Sequence, residues 1–260
     1  MQDKVIVITG ASSGIGEKLA EVVATRGARV VLASRRAAEL SAVAARLGPA
    51  ALAVVTDVTR RADIDQLRDR ALERFGQIDV WVSNAGRGIT RSVTQLTDDD
   101  FDDMMAINVK SVLYGIQAVI PHFRDRRRGH LITVSSMLGR IPMAPFRSAY
   151  SAAKAAAHSL MTSLRLELRA DHPDIHVSTV LPGVVATAFG ANARHGGPDS
   201  RILPNAQPVD EVARAIADLI DHPRAELYTR PEMATLAARY FTAADVATVE
   251  ADPPFAMPRR

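Results

Sequence analysis

The first twenty-seven residues constrain this chain most. Residues 4–9 (KVIVIT) form a short, continuously apolar run, the pattern of a strand buried on both faces. Gly10-Ala11-Ser12-Ser13-Gly14-Ile15-Gly16 follows at once. Residues 17–26 then have helical periodicity up to Gly27, a favourable C-cap. A strand, a glycine-rich turn and a helix N-terminus make a cradle for phosphate. Free backbone N–H groups and the helix dipole face the anion, and glycines let it come close. The spacing is G-x-x-x-G-x-G rather than G-x-G-x-x-G. No Gly-Lys-Ser/Thr follows the last glycine, which excludes a P-loop.

Strand and helix patterns alternate along the rest of the chain. Strands are expected at 29–33, 51–56, 78–83, 131–135, 175–181 and 225–229. Helices are expected at 37–47, 60–75, 98–106, 109–127, from 148 to about 170, and at 208–221. That alternation, with no linker and no internal repeat, implies one doubly wound, Rossmann-like α/β domain over residues 1–230. Its sheet is mostly parallel, with about seven strands. Residues 231–260 form a tail whose Met233, Leu236, Tyr240 and Phe241 could cover a second subunit, although packing on the parent domain is the simpler expectation. A ligand of such a sheet lies across the carboxyl ends of its strands.

Those strand ends carry polar residues. Tyr150 and Lys154 are one helical turn apart on one face, and Ser135 and Ser136 end the preceding strand. A phenol, an ammonium and a hydroxyl together form an acid/base device, with the lysine charge expected to lower the tyrosine pKa. After the second strand, Ser34, Arg35 and Arg36 offer a hydroxyl and guanidinium groups where an acidic residue would bind the ribose 2′-hydroxyl of NAD. They suit a 2′-phosphate, so NADP(H) is expected over NAD(H). Arg36 reads more simply as the cap of a solvated turn. Asp57 suits either an adenine amino group or the cap of the next helix. Asn108 stands near a break between helices, where it holds backbone groups or a water. Residues 188–207, rich in Gly, Pro and Asn, read as a substrate lid. Met137, Ile141, Met143, Pro145 and Phe146 are either core or the wall of an apolar pocket.

Composition narrows the classes. With no cysteine, disulfides, thiolate metal sites and a cysteine nucleophile are excluded, and no metal site is expected. The net charge of +3 is too small and too scattered for nucleic acid. No apolar run approaches the roughly 18 residues of a membrane span, and no signal-peptide pattern opens the chain. A cytoplasmic protein acting on a small molecule is the expectation.

The chain resembles the short-chain dehydrogenase/reductase family in its compact, single-domain type. The likeness rests on Thr9-Gly10-Ala11-Ser12-Ser13-Gly14-Ile15-Gly16, Asn84-Ala85-Gly86, Asn108, Ser136, Tyr150-Ser151-Ala152-Ala153-Lys154 and Pro182-Gly183, in that order. The resemblance implies an enzyme interconverting a carbonyl and an alcohol. Tyr150 would be the acid/base, Ser136 (or Ser135, if the register shifts) would bind the substrate oxygen, and Lys154 would hold the nicotinamide ribose. Asn108 would hold a water behind Lys154. Gly10, Ser12, Ser13, Gly14, Ile15 and Gly16 would line the dinucleotide. Asp57 and Val58 would meet the adenine, and Asn84, Ala85 and Gly86 the ribose. Pro182, Gly183, Val185 and Thr187 would flank the nicotinamide. A homodimer or homotetramer is implied in the same way. The alternative is a non-catalytic dinucleotide-binding or sensor protein on the same fold.

Overall fold

The computed structural model describes residues 1–255. Its strands are β1 (Val5–Thr9), β2 (Arg29–Ser34), β3 (Ala51–Val55), β4 (Val80–Ser83), β5 (Gly129–Val134), β6 (Ile175–Leu181) and β7 (Glu226–Tyr228). They form one seven-stranded sheet in the order β3-β2-β1-β4-β5-β6-β7. Every neighbouring pair is parallel. The order reverses between β1 and β4, which opens a crevice at the carboxyl ends of those strands. The doubly wound sheet expected from the sequence is the one observed, with element ends shifted by up to three residues.

Both faces of the sheet are covered, and β1 shows why its pattern has no polar gap. Val5 and Val7 point into one core; Ile6 and Ile8 point into the other. The first core is closed by α3 (Arg61–Phe75), α5 (Ser111–Arg126) and α6 (Ser148–Leu168), through Leu67, Phe123 and Met161. The second is closed by α1 (Gly14–Thr25), α2 (Ala37–Leu47) and α7 (Val209–Asp221), through Leu19, Leu40 and Ile216. Side chains such as Phe123 and Ile6 are fully buried. Each contributes about 2 kcal/mol from the apolar area removed from water.

One helical region differs from expectation. α4 (Asp98–Met105) begins with a capping box in which the Asp100 amide donates to Thr97 Oγ1 at 3.2 Å and the Thr97 amide to Asp100 Oδ2 at 3.3 Å. The chain does not break after it. A π-helical turn, Ala106–Lys110, carries it into α5. The joined helix, Asp98–Arg126, is long and apolar enough by length and composition to cross a membrane, which the reading by separate segments overlooked. It packs along β4 and β5, with 56% of its most apolar window buried, as a core helix does.

The tail packs on its own chain. α8 (Pro231–Thr242) and α9 (Val246–Glu250) place Met233, Leu236, Ala237 and Tyr240 against Met137 and Ile141. Met137 and Ile141 are therefore core residues beneath the tail. Phe241 is exposed, with the Arg140 guanidinium over its ring at 5.0 Å.

Candidate active site

The turn after β1 is held in shape by Thr9 and Asn84. Thr9 Oγ1 accepts from the amides of Asn84 and Ala85, each at 3.0 Å, and Asn84 Nδ2 donates to the Thr9 carbonyl at 2.9 Å. The end of β4 is thereby locked to the end of β1 across the crevice. Gly10 stands at φ +69°, where a Cβ would lie 2.9 Å from Asn84 Nδ2, so both its backbone and its surroundings call for glycine. Gly14 opens α1, and a Cβ there would lie 3.3 Å from Thr187 Cγ2. Thr187 thus faces the turn from beyond β6.

A hydrogen-bonded chain ties β2 to the same turn. Ser34 Oγ donates to Ser12 Oγ at 2.7 Å. The Arg36 amide donates to Ser34 Oγ at 3.0 Å, and its guanidinium donates to Ser12 Oγ at 2.9 Å and to Ser13 Oγ at 2.5 Å. Arg36, read from sequence as a solvated cap, lies across the turn. Arg35 is exposed, and its charge helps to hold the Asp57 carboxyl below the usual range. Burial pushes that carboxyl up, but hydrogen bonds from the Thr59 amide and hydroxyl, at 3.0 and 2.8 Å, outweigh it. Val58 points into the core and Val185 into the opposite core, so each has only its backbone to offer a ligand.

The tyrosine, lysine and serine meet at the end of β5. Ser135 Oγ donates to the Lys154 carbonyl at 3.1 Å and so is turned into the α6 backbone. Ser136 Oγ accepts the Leu138 amide at 3.1 Å and interacts with the Tyr150 phenol. Ser135 is thus spent on the α6 backbone, and Ser136 is the serine that acts on the Tyr150 phenol. The Met137 amide donates to the Pro182 carbonyl at 2.8 Å, which brings Pro182-Gly183 beside Ser136.

Lys154 is 4% exposed, and its Nζ donates to the Val134 carbonyl at 2.9 Å. An ammonium has three donors, so two remain for a ligand. Burial lowers its pKa to about 8. Burial also pushes the Tyr150 phenol up to about 12, against the smaller opposing effects of Ser136 and Arg147. The sequence reading expected Lys154 to lower that pKa. In the ligand-free protein desolvation of the phenol wins, and Nζ lies 5.7 Å from the ring centre.

Asn108 is fully buried in the π-helical turn. Its Nδ2 donates to the carbonyls of Arg87 at 3.0 Å and Met104 at 3.1 Å, and its Oδ1 accepts the Arg87 amide at 3.3 Å. The widened turn gives the side chain a backbone carbonyl to bond, and the amide in turn pins the strand-end loop after Gly86. A Cβ on Gly86 would lie 2.8 Å from Asn108 Oδ1 and 3.3 Å from Lys154 Nζ, so these three residues are in contact.

Residues 188–207 fold over the opening. The Thr90 amide donates to the Arg194 carbonyl at 2.9 Å and the Arg194 amide to the Gly88 carbonyl at 2.8 Å. The Phe189 ring lies 5.5 Å from that of Tyr150. Sequence reasoning weighed Arg36 for a 2′-phosphate but preferred a capping role, and it named none of Thr9, Arg147 or Phe189 as site residues. Only Thr9 carried a signal, as the residue before the first glycine.

Comparison with known proteins agrees with this arrangement. The short chain dehydrogenase family matches residues 4–197, and the chain belongs to that family. An uncharacterized oxidoreductase of Staphylococcus aureus strain MW2 is 37% identical over 192 residues, covering 74% of this chain and 82% of its own. A short chain dehydrogenase/reductase from Burkholderia phymatum in complex with NAD superposes with a TM-score of 0.86 at 26% identity, covering 100% of this chain and 98% of its own. The alcohol dehydrogenase of the archaeon Thermococcus sibiricus, complexed with 5-hydroxy-NADP, gives 0.77 at 28% identity, covering 87% and 96%. The chain is thus an oxidoreductase of this family, on a fold whose solved relatives bind nicotinamide dinucleotides.

Proposed function

We propose that the protein is an NADP(H)-dependent oxidoreductase that interconverts a carbonyl and an alcohol. The observation that carries this reading is the convergence of Ser136, Tyr150 and Lys154 at the end of β5, beside the glycine turn. The residues fit a dinucleotide. Gly10, Gly14 and the start of α1 would cradle the pyrophosphate. Lys154 has two free donors for ribose hydroxyls, and Thr187 faces the turn where the nicotinamide end would lie. Arg36 and Ser34, on the rim beyond β2, suit a 2′-phosphate, and Arg35 adds charge nearby.

Bound there, the cofactor would supply or accept the hydride. Tyr150, protonated at neutral pH, gives its phenolic proton to the carbonyl oxygen in reduction and takes it back in oxidation. Ser136 donates to the same oxygen and orients it. The Lys154 ammonium stabilises the phenolate that reduction leaves. Asn108 is a positioning residue. Its amide is spent on the backbone of Arg87 and Met104, which keeps the strand-end loop against Lys154. Residues 188–207 exclude water from the site. The apolar substrate expected from sequence loses the support of Met137 and Ile141, which face the tail.

The test is titration of the protein with NADPH and NADH by nicotinamide fluorescence, followed by assay on ketones and aldehydes. Tight NADPH binding with turnover supports the reading. Tighter NADH binding would overturn the cofactor preference alone. Binding without turnover of any carbonyl would favour the dinucleotide sensor, and failure to bind either dinucleotide would sink both.

A further inference from the structure

Arg147 stands one turn before Tyr150, at the N-cap of α6. It is 9% exposed, and its Nη1 donates to the Ile89 carbonyl at 3.2 Å. Among the described residues it makes no ion pair. A buried guanidinium without a carboxylate is costly, because its charge is taken from water with nothing of opposite sign to meet it. Burial lowers its pKa, with only the Tyr150 phenol acting the other way.

Its place is the substrate side of the site. A Cβ on Gly88 would lie 3.0 Å from Arg147 Nη1 and 3.0 Å from the Phe189 ring, the ring that also packs on Tyr150. A Cβ on Gly197 would lie 3.2 Å from Arg147 Nη2. The guanidinium is therefore enclosed between the loop after β4 and the 188–207 loop, next to the acid/base.

The surrounding charges do not neutralise it. Asp100 is engaged by Arg91 Nη1 at 3.2 Å, Arg194 Nε at 2.6 Å and His195 Nε2 at 2.7 Å. Asp103 is paired with Arg87 and approached by Arg194. Asp98, Asp99 and Asp102 on the same helix are exposed. Arg87, Arg91 and Arg194 therefore share the two carboxylates Asp100 and Asp103, and Arg147 is left without one among the described residues.

We infer that Arg147 is a specificity-determining residue, and that the substrate is an oxo acid or hydroxy acid whose carboxylate it binds. This rests on the carbonyl/alcohol reading above and deepens it. A planar guanidinium binds a carboxylate through two parallel N–H donors, which orients the substrate as well as holding it. The substrate carboxylate then supplies the counter-charge that the protein side chains do not. A neutral analogue leaves the guanidinium unpaired and is discriminated against.

The experiment uses the full chain with NADPH, and NADH in parallel. A panel of 2-, 3- and 4-oxo acids, each with its methyl ester, is assayed at neutral pH, where the acids are ionised. At least one acid is expected to exceed its ester in kcat/KM by about tenfold or more, and R147Q is expected to collapse that ratio, with the loss on the acid falling mainly on KM. R147K, which keeps charge without the planar fork, is expected to retain part of the ratio. Esters used as well as acids throughout, or an acid preference that survives in R147Q, would overturn the inference and leave the oxidoreductase reading standing. The wild-type ratio requires no variant, so poor folding of R147Q does not stop the test. If neither acids nor esters turn over with either dinucleotide, the carbonyl/alcohol reading fails, and this inference with it.

Discussion

The Arg36 guanidinium donates to Ser12 Oγ at 2.9 Å, binding the residue after β2 to the glycine turn after β1. Two loops from neighbouring strands thereby share one cation beside the glycine turn. The same hydroxyl accepts from Ser34, so Ser12, Ser34 and Arg36 form one network.

On the proposed NADP(H) reading, that network leads us to expect a larger effect on cofactor choice from Arg36 than from Arg35. Arg36→Ala is expected to weaken NADPH binding by about 10- to 100-fold, the worth of a charge-assisted hydrogen bond to phosphate, and to leave NADH binding within a few fold. Arg35→Ala, which removes an exposed charge, is expected to cost less. Fluorescence titration of both variants with both dinucleotides checks this. A larger effect from Arg35 would return the 2′-phosphate to it.

Tyr150→Phe removes one hydroxyl from a buried ring and little else. Turnover is expected to fall by about 100- to 10,000-fold, the range for loss of a general acid/base. Dinucleotide affinity should change only slightly. Steady-state rates beside NADPH titration measure the two separately, and turnover near the wild-type level would remove Tyr150 from the mechanism.

The pH dependence follows from two buried groups. Tyr150, at about 12, stays protonated through neutral and mildly alkaline pH, so the acid needed for reduction is present. Lys154, at about 8, loses its charge as pH rises through that value. In reduction, kcat/KM is therefore expected to be level near neutrality and to decline above about pH 8. In oxidation the phenolate is required, so the rate is expected to rise with pH. Profiles in the two directions decide this, and a reduction rate that climbs through pH 9 would contradict the assignment of Lys154.

Asn108→Ala leaves the Arg87 and Met104 carbonyls without their partner in a fully buried place. A cost of about 2 kcal/mol in stability is expected from the unmade hydrogen bonds. A fall in kcat with a smaller change in NADPH affinity is expected as the loop drifts from Lys154. Urea denaturation and single-turnover rates read the two effects. A variant that loses stability but keeps kcat would make Asn108 purely structural.

Much of this was legible before any coordinates. Residues 5–9 carry no polar gap because β1 is sandwiched between two cores, and that shows in five successive apolar or β-branched side chains. Gly10 and Gly14 marked the turn because their φ is positive, and Gly16 because a Cβ there would clash with the Gly10 carbonyl oxygen. The spacing of Tyr150 and Lys154 placed both on one helical face. Arg35 and Arg36 are chemically alike, and only the bend after β2 decides that Arg36, the N-cap of α2, lies back over Ser12. The helix from Asp98 to Arg126 was read as two because a π-helical turn keeps a chain helical while shifting the apolar face.

The sequence alone therefore determined the order of strands and helices, the glycine-rich turn and the placing of Tyr150 and Lys154 on one helical face. Each depends on residues close together in the chain, where periodicity, glycine conformation and helical spacing operate. Only the tertiary structure decided the electrostatics. Tyr150 rises rather than falls because it is taken from water, Ser136 rather than Ser135 meets it, and Arg147 is enclosed without a counter-charge. Those outcomes depend on which distant side chains share one desolvated space, and charge interactions there are set by distance and burial rather than by position along the chain.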